Sequence, residues 1–360
     1  MLHAMIMAGG GGTRFWPRSR TKRPKQFLSF SGDRTLLQGT LDRIEAQVPR
    51  ERTWVITGAA YQEEASQQLP ELIPSQIVGE PQGRDTTACI GLGAALIAKQ
   101  DPNGVMITMP ADHVIEPAQE FRRAVHAAEQ LAEEFPSALI TFGIPPTYPS
   151  TGYGYIHRGE FVAQRQGVSA YQVQQFREKP GSDLAEQYVA SGEYFWNSGI
   201  FVWKVSTILA ELKKNEPSIH DAVQRIADAW GTPRQDEVFR DEYSDKMKKI
   251  SVDFAVMEHA KEVLVVQAPY QWDDVGSWLA LERRNPQDAH GNTVQALHLG
   301  FHTSNCVIVS DPEHLIATIG VSNLLIIQDG NATLIADRTE ENSVKNIVDQ
   351  LKKLKMEKFL

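Results

Sequence analysis

The 360-residue sequence has little cysteine, no long apolar run and no excess of positive charge. Its two cysteines, Cys89 and Cys306, lie far apart in the chain and support neither a disulfide framework nor a cysteine-based zinc site. No stretch approaches the ~18 consecutive apolar residues of a membrane-spanning helix, and the apolar residues 1–8 have no basic leader. These absences predict a soluble, cytoplasmic protein that has no membrane partner.

Acidic residues outnumber basic ones, 45 against 36, which gives a formal net charge of −9. This balance argues against binding nucleic acid through bulk charge, but it is compatible with a local basic pocket for a phosphorylated small molecule. The 42% hydrophobic and 22% charged residues are typical of a globular chain with a sizeable core. The length predicts two domains.

Short apolar runs alternate with helix-period segments over the first two-thirds of the chain, which is typical of βαβ units and a parallel sheet. Strands are predicted at residues 4–8, 54–57, 76–78, 105–109 and 138–142. Beyond about residue 285, short β-rich runs separated by turn residues precede an amphipathic helix over 342–355. We therefore predict an α/β domain over residues 1–285 and a small β domain with a C-terminal helix over residues 286–360.

A glycine-rich loop, residues 9–12, follows the first predicted strand and is continued by Thr13 and Arg14. Glycines allow backbone N–H groups to approach a phosphate closely. Arg14 stands where the dinucleotide-binding pattern needs glycine, and the loop lacks the Gly-Lys-Ser/Thr end of a P-loop. A plain turn is the alternative, but Arg14 and Lys25 add two cations that would need an anionic partner if buried. The segment indicates phosphate binding.

Together with motifs further along the chain, this segment resembles the sugar-1-phosphate nucleotidyltransferases, and within them the guanylyltransferases that act on mannose 1-phosphate. The resemblance covers residues 4–278 in the expected order. The motifs beyond the loop are Gly79-Glu80-Pro81, Arg84-Asp85-Thr86, Pro110-Ala111-Asp112-His113, Thr151-Gly152-Tyr153-Gly154-Tyr155, Glu178-Lys179-Pro180, Trp196-Asn197-Ser198-Gly199-Ile200-Phe201 and Trp272-Asp273-Asp274-Val275-Gly276-Ser277-Trp278. The resemblance implies a Rossmann-like nucleotidyltransferase domain with a mostly parallel sheet, followed by a small left-handed β-helix-like domain and a C-terminal helix.

The resemblance also implies an activity, the transfer of GMP from GTP to α-D-mannose 1-phosphate with Mg²⁺ as cofactor. GDP-mannose and pyrophosphate would be formed by in-line attack of the sugar phosphate on the α-phosphate. One alternative is the same chemistry with another sugar 1-phosphate or nucleotide. Another is a non-catalytic regulatory subunit, which would be expected to lose Arg14, Lys25 or the metal-binding aspartates. A homodimer is expected because the β domain looks too small to bury the helix over 344–354; docking of that helix on its own domain is the alternative.

By resemblance, the glycine loop and the side chains near it would bind the nucleotide. Arg14 would steady the triphosphate, and Lys25 would neutralise charge along the phosphate chain. Glu80 is the candidate for recognising guanine, since a carboxylate can accept from both N1–H and the N2 amine; Gln82 and a simple strand exit are the alternatives. The nucleotide-binding residues would be Gly9, Gly10, Gly12, Thr13, Arg14, Lys25, Glu80 and Asp85.

The sugar phosphate would bind to a second set of residues. Lys179 would hold the incoming phosphate and, with Arg14 and Lys25, is a candidate catalytic residue. An exposed loop lysine is the alternative interpretation of Lys179, and turn chemistry is the alternative for Glu178 and Asn197. The sugar-phosphate-binding residues implied by the resemblance are Gly143, Glu178, Lys179 and Asn197.

Two aspartates, Asp112 and Asp274, would hold the magnesium ion by resemblance. Asp112 follows a predicted strand, and ligands bind at the carboxyl ends of strands in parallel sheets. Mg²⁺ prefers oxygen ligands and usually takes one or two protein carboxylates. The alternative for Asp112 is a helix cap or a turn former. Chemistry alone does not distinguish Asp273 from Asp274 as the second ligand, whereas the family's Asp-x-Gly spacing selects Asp274.

The chain departs from the family's motifs at two positions. Asp85 stands where the family usually has asparagine, beside the expected base pocket, and Ser150 stands where it often has glutamate. The change at Asp85 puts an acid near the expected base pocket and bears on nucleotide recognition, whereas Ser150 lies beside the sugar loop, where a neutral change is the alternative.

Overall fold

The computed structural model of the protein describes residues 1–30 and 32–360. Its helices are α1 Leu36–Ile44, α2 Gln62–Gln68, α3 Asp85–Gln100, α4 Ala118–Glu134, α5 Ser182–Ser191, α6 Val205–Asn215, α7 Pro217–Ala229, α8 Gln235–Glu242, α9 Ala280–Arg284 and α10 Val344–Lys353. Its strands are β1 Leu2–Ala8, β2 Thr53–Gly58, β3 Ile77–Glu80, β4 Val105–Pro110, β5 Val114–Glu116, β6 Leu139–Ile144, β7 Tyr155–Arg165, β8 Val168–Arg177, β9 Tyr194–Lys204, β10 Val263–Gln267, β11 Gln271–Asp273, β12 Thr293–Gln295, β13 Leu297–Phe301, β14 Val307–Val309, β15 Leu315–Ile319, β16 Leu324–Asp329 and β17 Ala332–Asp337.

The chain forms two compact units that are not separated by a single cut in the sequence. The first unit contains residues 1–9, 38–111 and 115–272, and the second contains residues 10–37, 112–114 and 273–360. The glycine-rich segment from Gly10 onward thus belongs to the same unit as the C-terminal part of the chain. The domain boundary expected near residue 285 stays a prediction.

The first unit is built on a nine-stranded sheet of order β3-β2-β1-β4-β9-β6-β10-β8-β7. Seven of these strands run in one direction, and β8 and β9 run in the other. The five predicted strands are confirmed as β1 to β4 and β6, whose apolar runs are buried on both faces of the sheet. The predicted mostly parallel α/β fold is therefore confirmed. Sequence periodicity did not indicate β7 to β10, which form antiparallel pairs with one another.

Helix α3 is the central helix of the first unit, and it is buried from Thr87 to Ile97. A Cβ atom on Gly93 would lie 2.0 Å from the Sδ atom of Met5 on β1, so glycine lets the helix approach the sheet closely. The opposite side of α3 packs against α6 and α7. This packing fixes the N-terminal end of α3, where Arg84 and Asp85 lie.

The second unit contains short parallel strands stacked in the order β12-β14-β16, with β17 antiparallel to β16 and a separate β13–β15 pair. This arrangement agrees with the expected β-helix-like domain. Helix α10 docks within the unit, because Val344 and Val348 are buried in an apolar cluster that includes Trp16 and Trp278. Trp16 and Trp278 lie outside residues 286–360, and Ile347 and Leu354 of the predicted helix stay exposed, so the β domain alone does not bury the helix fully. The homodimer itself stays a prediction.

Candidate functional site

Lys25 brings the two predicted metal-binding aspartates to one place in the second unit. Its Nζ atom donates to Asp112 Oδ2 at 2.8 Å and to the backbone oxygen of Asp274 at 2.5 Å. The lysine side chain is only 8% exposed. Desolvation by the surrounding protein atoms disfavours the ionised form of Asp112, but the charges of Lys25 and His113 and the lysine hydrogen bond hold the pKa of this partly exposed carboxyl below its ordinary value. Asp112 is thus an anion at neutral pH.

Asp273 and Asp274 have different surroundings, and this difference bears on which of them could bind a metal. Asp273 accepts from Arg283 Nε at 2.7 Å and Nη2 at 3.0 Å, and also from the Val275 amide at 2.7 Å. A Cβ atom on Gly276 would lie 2.9 Å from Asp274 Oδ2, so the Asp274 carboxylate lies over the glycine. Asp273 therefore stabilises the turn, and the turn presents Asp274.

The residues at this place suit Mg²⁺. Asp112 is 39% exposed, and Mg²⁺ usually keeps several waters while taking one or two carboxylates together with substrate phosphates. No cluster of three or more metal-binding side chains occurs in residues 1–30 and 32–360. Asp112 and Asp274 are the residues that would hold the ion.

The glycine-rich loop lies against Lys25 within the second unit. Gly10 and Gly12 adopt positive φ angles of 100° and 46°, which favour glycine. A Cβ atom on Gly12 would be 2.7 Å from both the N and Cβ atoms of Lys25. Glycine is therefore needed at position 12 for the close approach of loop and lysine. Thr13 and Arg14 then form a short 3₁₀ turn.

Arg14 is exposed, and it forms no hydrogen bond or ion pair with the part of the chain that the structure describes. Sequence analysis grouped it with Lys25 as a cation that would need an anionic partner. Only Lys25 is buried, and Asp112 is its partner. The Arg14 guanidinium has all of its donors available for a phosphate.

Glu80 ends strand β3 and points its carboxylate into the first unit. It is 6% exposed, and its Oε1 atom accepts from the hydroxyl of Tyr243. A Cβ atom on Gly9 would lie 3.8 Å from Glu80 Oε2, so this oxygen is next to the start of the glycine loop. Burial raises the pKa of Glu80 to about 7, and the hydrogen bond from Tyr243 opposes that rise.

Gln82, the alternative base-recognising residue, is exposed and bound to its neighbours. Its amide donates to Asp245 at 2.9 Å and accepts from Arg84 at 2.7 Å. Arg84 is itself buried and ion-paired with Asp245. These hydrogen bonds engage both the NH₂ group and the oxygen of the Gln82 side chain, which favours Glu80 as the candidate for recognising the base.

Asp85 fits the backbone at the position where the family usually has asparagine. Its φ angle is +66°, a region that Asn and Asp adopt more readily than most residues. Its Oδ1 atom accepts from the Thr86 amide at 2.8 Å at the start of α3. Asp85 therefore suits the same local backbone as asparagine would and differs from it in carrying a charge.

Two predicted sugar-site residues, Glu178 and Asn197, lie next to Gly154 in the first unit. Asn197 donates to Asp253 at 2.8 Å, and its Oδ1 atom accepts from the Gly199 amide at 3.2 Å. A Cβ atom on Gly154 would lie 2.9 Å from Glu178 Oε2 and 3.7 Å from the Asn197 Cβ. The Asn-Ser-Gly sequence does not form a separate turn; it lies inside β9 beside a register irregularity.

Gly143 and Lys179 flank this group. A Cβ atom on Gly143 would be 2.6 Å from Val265 Cγ2 and 2.7 Å from Phe195 Cβ, so sheet packing requires the glycine. Lys179 is 61% exposed, has a φ angle of +38° and is ion-paired with Glu178. The structure places Lys179 beside the sugar-site residues, and its function stays a prediction.

Sequence analysis missed three side chains that support the site residues. Tyr243 binds Glu80, Asp253 binds Asn197 and Arg283 binds Asp273. Burial and the nearby Glu178 raise the pKa of Asp253, and the Asn197 hydrogen bond opposes the rise. These three residues are outside the recognised motifs, and only the tertiary structure connects them to the site.

An aromatic cluster lies beside the sugar-site residues in the first unit. Tyr153 makes edge-on contacts with Trp196 and Trp272 at centroid distances of 5.0 and 5.1 Å, and Tyr148 contacts Trp196 at 4.9 Å. The Ser150 hydroxyl accepts from the Gly152 amide at 3.2 Å. Serine thus satisfies the loop backbone where the family often has glutamate.

The sheet topology of the first unit and the loop, lysine and aspartates grouped in the second unit agree with those expected of a nucleotidyl transferase. The nucleotidyl transferase family profile matches residues 3–291, and a profile described as MannoseP isomerase/GMP-like beta-helix domain matches residues 297–351. The mannose-1-phosphate guanylyltransferase of Escherichia coli K12 is 39% identical over 98% of this chain and 73% of its own length. The corresponding Klebsiella pneumoniae protein is also 39% identical, over 98% and 74%. The chain belongs to the mannose-1-phosphate guanylyltransferase family.

A solved structure supports the same assignment of the fold. The Thermus thermophilus protein named "mannose-1-phosphate geranyltransferase" superimposes with a TM-score of 0.85 at 34% identity. The match covers 98% of this chain and 99% of that one. The α/β domain and the β-helix-like domain therefore occur together in both proteins.

Proposed function

We propose that the protein transfers GMP from GTP to α-D-mannose 1-phosphate and forms GDP-mannose and pyrophosphate. The observation that carries this proposal is the similarity, over 98% of this chain and 73–74% of their own length, to enzymes named for that reaction. The contacts of Lys25 with Asp112 and Asp274 support it. The reaction needs no protein nucleophile, because the sugar phosphate is already an anion near neutral pH.

The chain's own residues would bind and orient the two phosphates. The loop amides and Arg14 would hold the triphosphate, Lys25 would offset its charge, and Lys179 would hold the incoming sugar phosphate. Such preorganised cations stabilise charge that develops as pyrophosphate leaves. Glu178 and Asn197 would bind the sugar hydroxyls.

We further propose that Asp112 and Asp274 hold Mg²⁺. When bound, the ion would offset the negative charge of the phosphates and orient them. In the chain itself, Asp112 is held as an anion, and Lys25 contacts both aspartates.

Pyrophosphate release measured over a matrix of nucleoside triphosphates and sugar 1-phosphates tests the reaction. The combination of GTP, mannose 1-phosphate and Mg²⁺ is expected to give the highest kcat/KM. A higher value with another sugar or base would favour the second candidate, the same chemistry on other substrates, which Asp85 and Ser150 keep open. Absence of pyrophosphate with every pair would favour the regulatory subunit.

We propose a homodimer formed through the β13–β15 face, defined as Leu297, Leu299, Phe301, Leu315 and Ile319. All five side chains are more than half exposed, and none of them carries a charge. Parallel sheets normally have both faces covered. A second copy has the same uncharged face, so a two-fold contact would cover both copies.

The structure has no helix in residues 1–30 and 32–360 that is long and apolar enough to cross a membrane. Cys89 and Cys306 are buried free thiols. We propose a cytoplasmic location, which suits free thiols and nucleotide substrates.

A further inference from the structure

Tyr243 forms a buried pair with Glu80, and the proposed reaction gives this tyrosine no role. Tyr243 follows α8, is fully buried and donates its hydroxyl to Glu80 Oε1. The second carboxylate oxygen, Oε2, lies on the side of Gly9. Tyr243 thus engages one oxygen of the carboxylate and leaves the other beside Gly9 within the first unit.

The charge of Glu80 decides which purine edge it complements. An ionised carboxylate only accepts hydrogen bonds, which matches the N1–H and N2 amine donors of guanine. A protonated carboxyl both donates and accepts, which matches the N1 acceptor and N6 amine donor of adenine. The proton would lie on Oε2, because Oε1 already accepts from Tyr243.

We propose that Tyr243 is a positioning residue that favours the ionised form of Glu80 and aims it at the base, and that the protonation state of Glu80 selects between guanine and adenine. This inference rests on the proposed function. It assigns a specificity role to a tyrosine outside every recognised motif, and it predicts that acid weakens the preference for GTP.

The surroundings of Glu80 support this inference. Cys89 on α3 and Tyr243 face the carboxylate, and Arg84 before α3 lies near Tyr243. Burial raises the pKa of Glu80 to about 7, and the Tyr243 hydrogen bond lowers it. Removing the hydroxyl would therefore move the titration to higher pH.

The first test measures kcat/KM for GTP between about pH 5.5 and 9 in the wild-type protein and in Tyr243→Phe. Glu80→Gln provides the baseline pH profile. This variant lacks only the ionisation of Glu80, so its profile reports every other titrating group, including the sugar phosphate. The phenylalanine variant is expected to raise the midpoint by about one pH unit and to lower kcat/KM about tenfold below it, as for loss of a hydrogen bond to a charge. KM for mannose 1-phosphate is expected to stay unchanged.

The second test uses the ratio of kcat/KM for ATP to that for GTP. In the wild-type protein this ratio is expected to rise up to about tenfold for each unit that the pH falls, because the ratio of protonated to ionised Glu80 does so. Glu80→Gln, whose amide both donates and accepts, is expected to have a high ratio that does not change with pH.

Each outcome decides a separate claim. A Tyr243→Phe variant that folds and keeps the wild-type midpoint would overturn the role of Tyr243. If Tyr243→Phe does not fold, the Glu80→Gln ratio decides, and unchanged strict selectivity for GTP would overturn the inference. A wild-type protein inactive with every nucleotide would instead overturn the proposed function itself.

Discussion

Asp112 is an anion held beside a buried lysine, and this residue carries the most direct test of the metal site. Asp112→Asn removes one of few ligand charges, so we expect the Mg²⁺ concentration for half-maximal activity to rise and kcat to fall at least about 10²-fold. Pyrophosphate release against Mg²⁺ concentration measures both. The same result is expected for Asp274→Asn, and the double variant should be scarcely worse, since the residues act together.

Asp349→Asn is the matched control, because Asp349 is exposed on α10 and pairs only with the nearby Lys352 among the described residues. Asp273→Asn is not a neutral control, since Asp273 holds the turn through Arg283 and the Val275 amide. Full magnesium-dependent activity of Asp112→Asn would disprove the two-carboxylate site.

Lys179 is exposed and paired with Glu178, and its proposed contact with the incoming phosphate is tested by kinetics. Lys179→Ala is expected to raise KM for mannose 1-phosphate at least about tenfold while leaving KM for GTP nearly unchanged, because it would contact only the incoming phosphate. Initial rates with each substrate varied in turn measure the two constants. Lys213→Ala, at an exposed lysine on α6, is the control. Unchanged sugar-phosphate kinetics would identify Lys179 as a surface residue.

Glu80 also makes stability depend on pH. Its pKa is about 7 in the folded protein against an ordinary value near 4.5, so its contribution to stability is fully present below about pH 4.5 and is lost as the pH rises through about 7. Glu80→Gln removes this loss and keeps an acceptor for Tyr243. We expect the variant to gain stability relative to wild type between about pH 5 and 8, by about 3 kcal/mol at most. Thermal unfolding of the wild-type protein and of Glu80→Gln at about pH 5 and at about pH 8 measures the gain in stability. An equal gain at the two pH values would refute the predicted pH dependence.

At the scale of elements, the turn after β11 depends on Gly276. An alanine Cβ there would meet the Asp274 carboxylate at 2.9 Å, so Gly276→Ala is expected to displace that side chain. We predict a several-fold higher Mg²⁺ requirement with a loss of stability of only about 1 kcal/mol. Magnesium titration and thermal unfolding separate the two effects.

Gly39→Ala in α1 is the control for this substitution, because a Cβ atom there meets nothing within 4 Å. It is expected to keep the wild-type magnesium requirement and to gain slightly in stability from the higher helix propensity of alanine. A normal magnesium requirement in Gly276→Ala would mean that the Asp274 side chain tolerates the displacement.

At the scale of the whole molecule, the β13–β15 face predicts the oligomeric state. The wild-type protein is expected to have twice the mass of the chain in light scattering, and Phe301→Glu is expected to reduce it to a monomer, because the charge would be buried without a partner. Ile335→Glu, at an exposed position on β17 outside the face, should remain dimeric. A monomeric wild-type protein, or a dimeric Phe301→Glu variant, would contradict the proposed interface.

The sequence alone determined the strands β1 to β4 and β6, the β-rich C-terminal part and α10, because buried strands and amphipathic helices have local apolar patterns. The family motifs in the sequence also pointed to the glycine loop, Lys25 and both aspartates, which the structure places together in the second unit. The sequence did not reveal β7 to β10, whose pairing depends on partners distant in the chain.

Only the tertiary structure decided which polar groups contact one another. Asp273 and Asp274 are chemically identical in the sequence, and the contacts of Arg283 with the first and of Gly276 with the second distinguish them. Tyr243 became relevant because folding buries its hydroxyl against Glu80. The raised pKa of Glu80 follows from its burial, since desolvation disfavours the charged carboxylate and is a property of the folded surroundings, not of the residue.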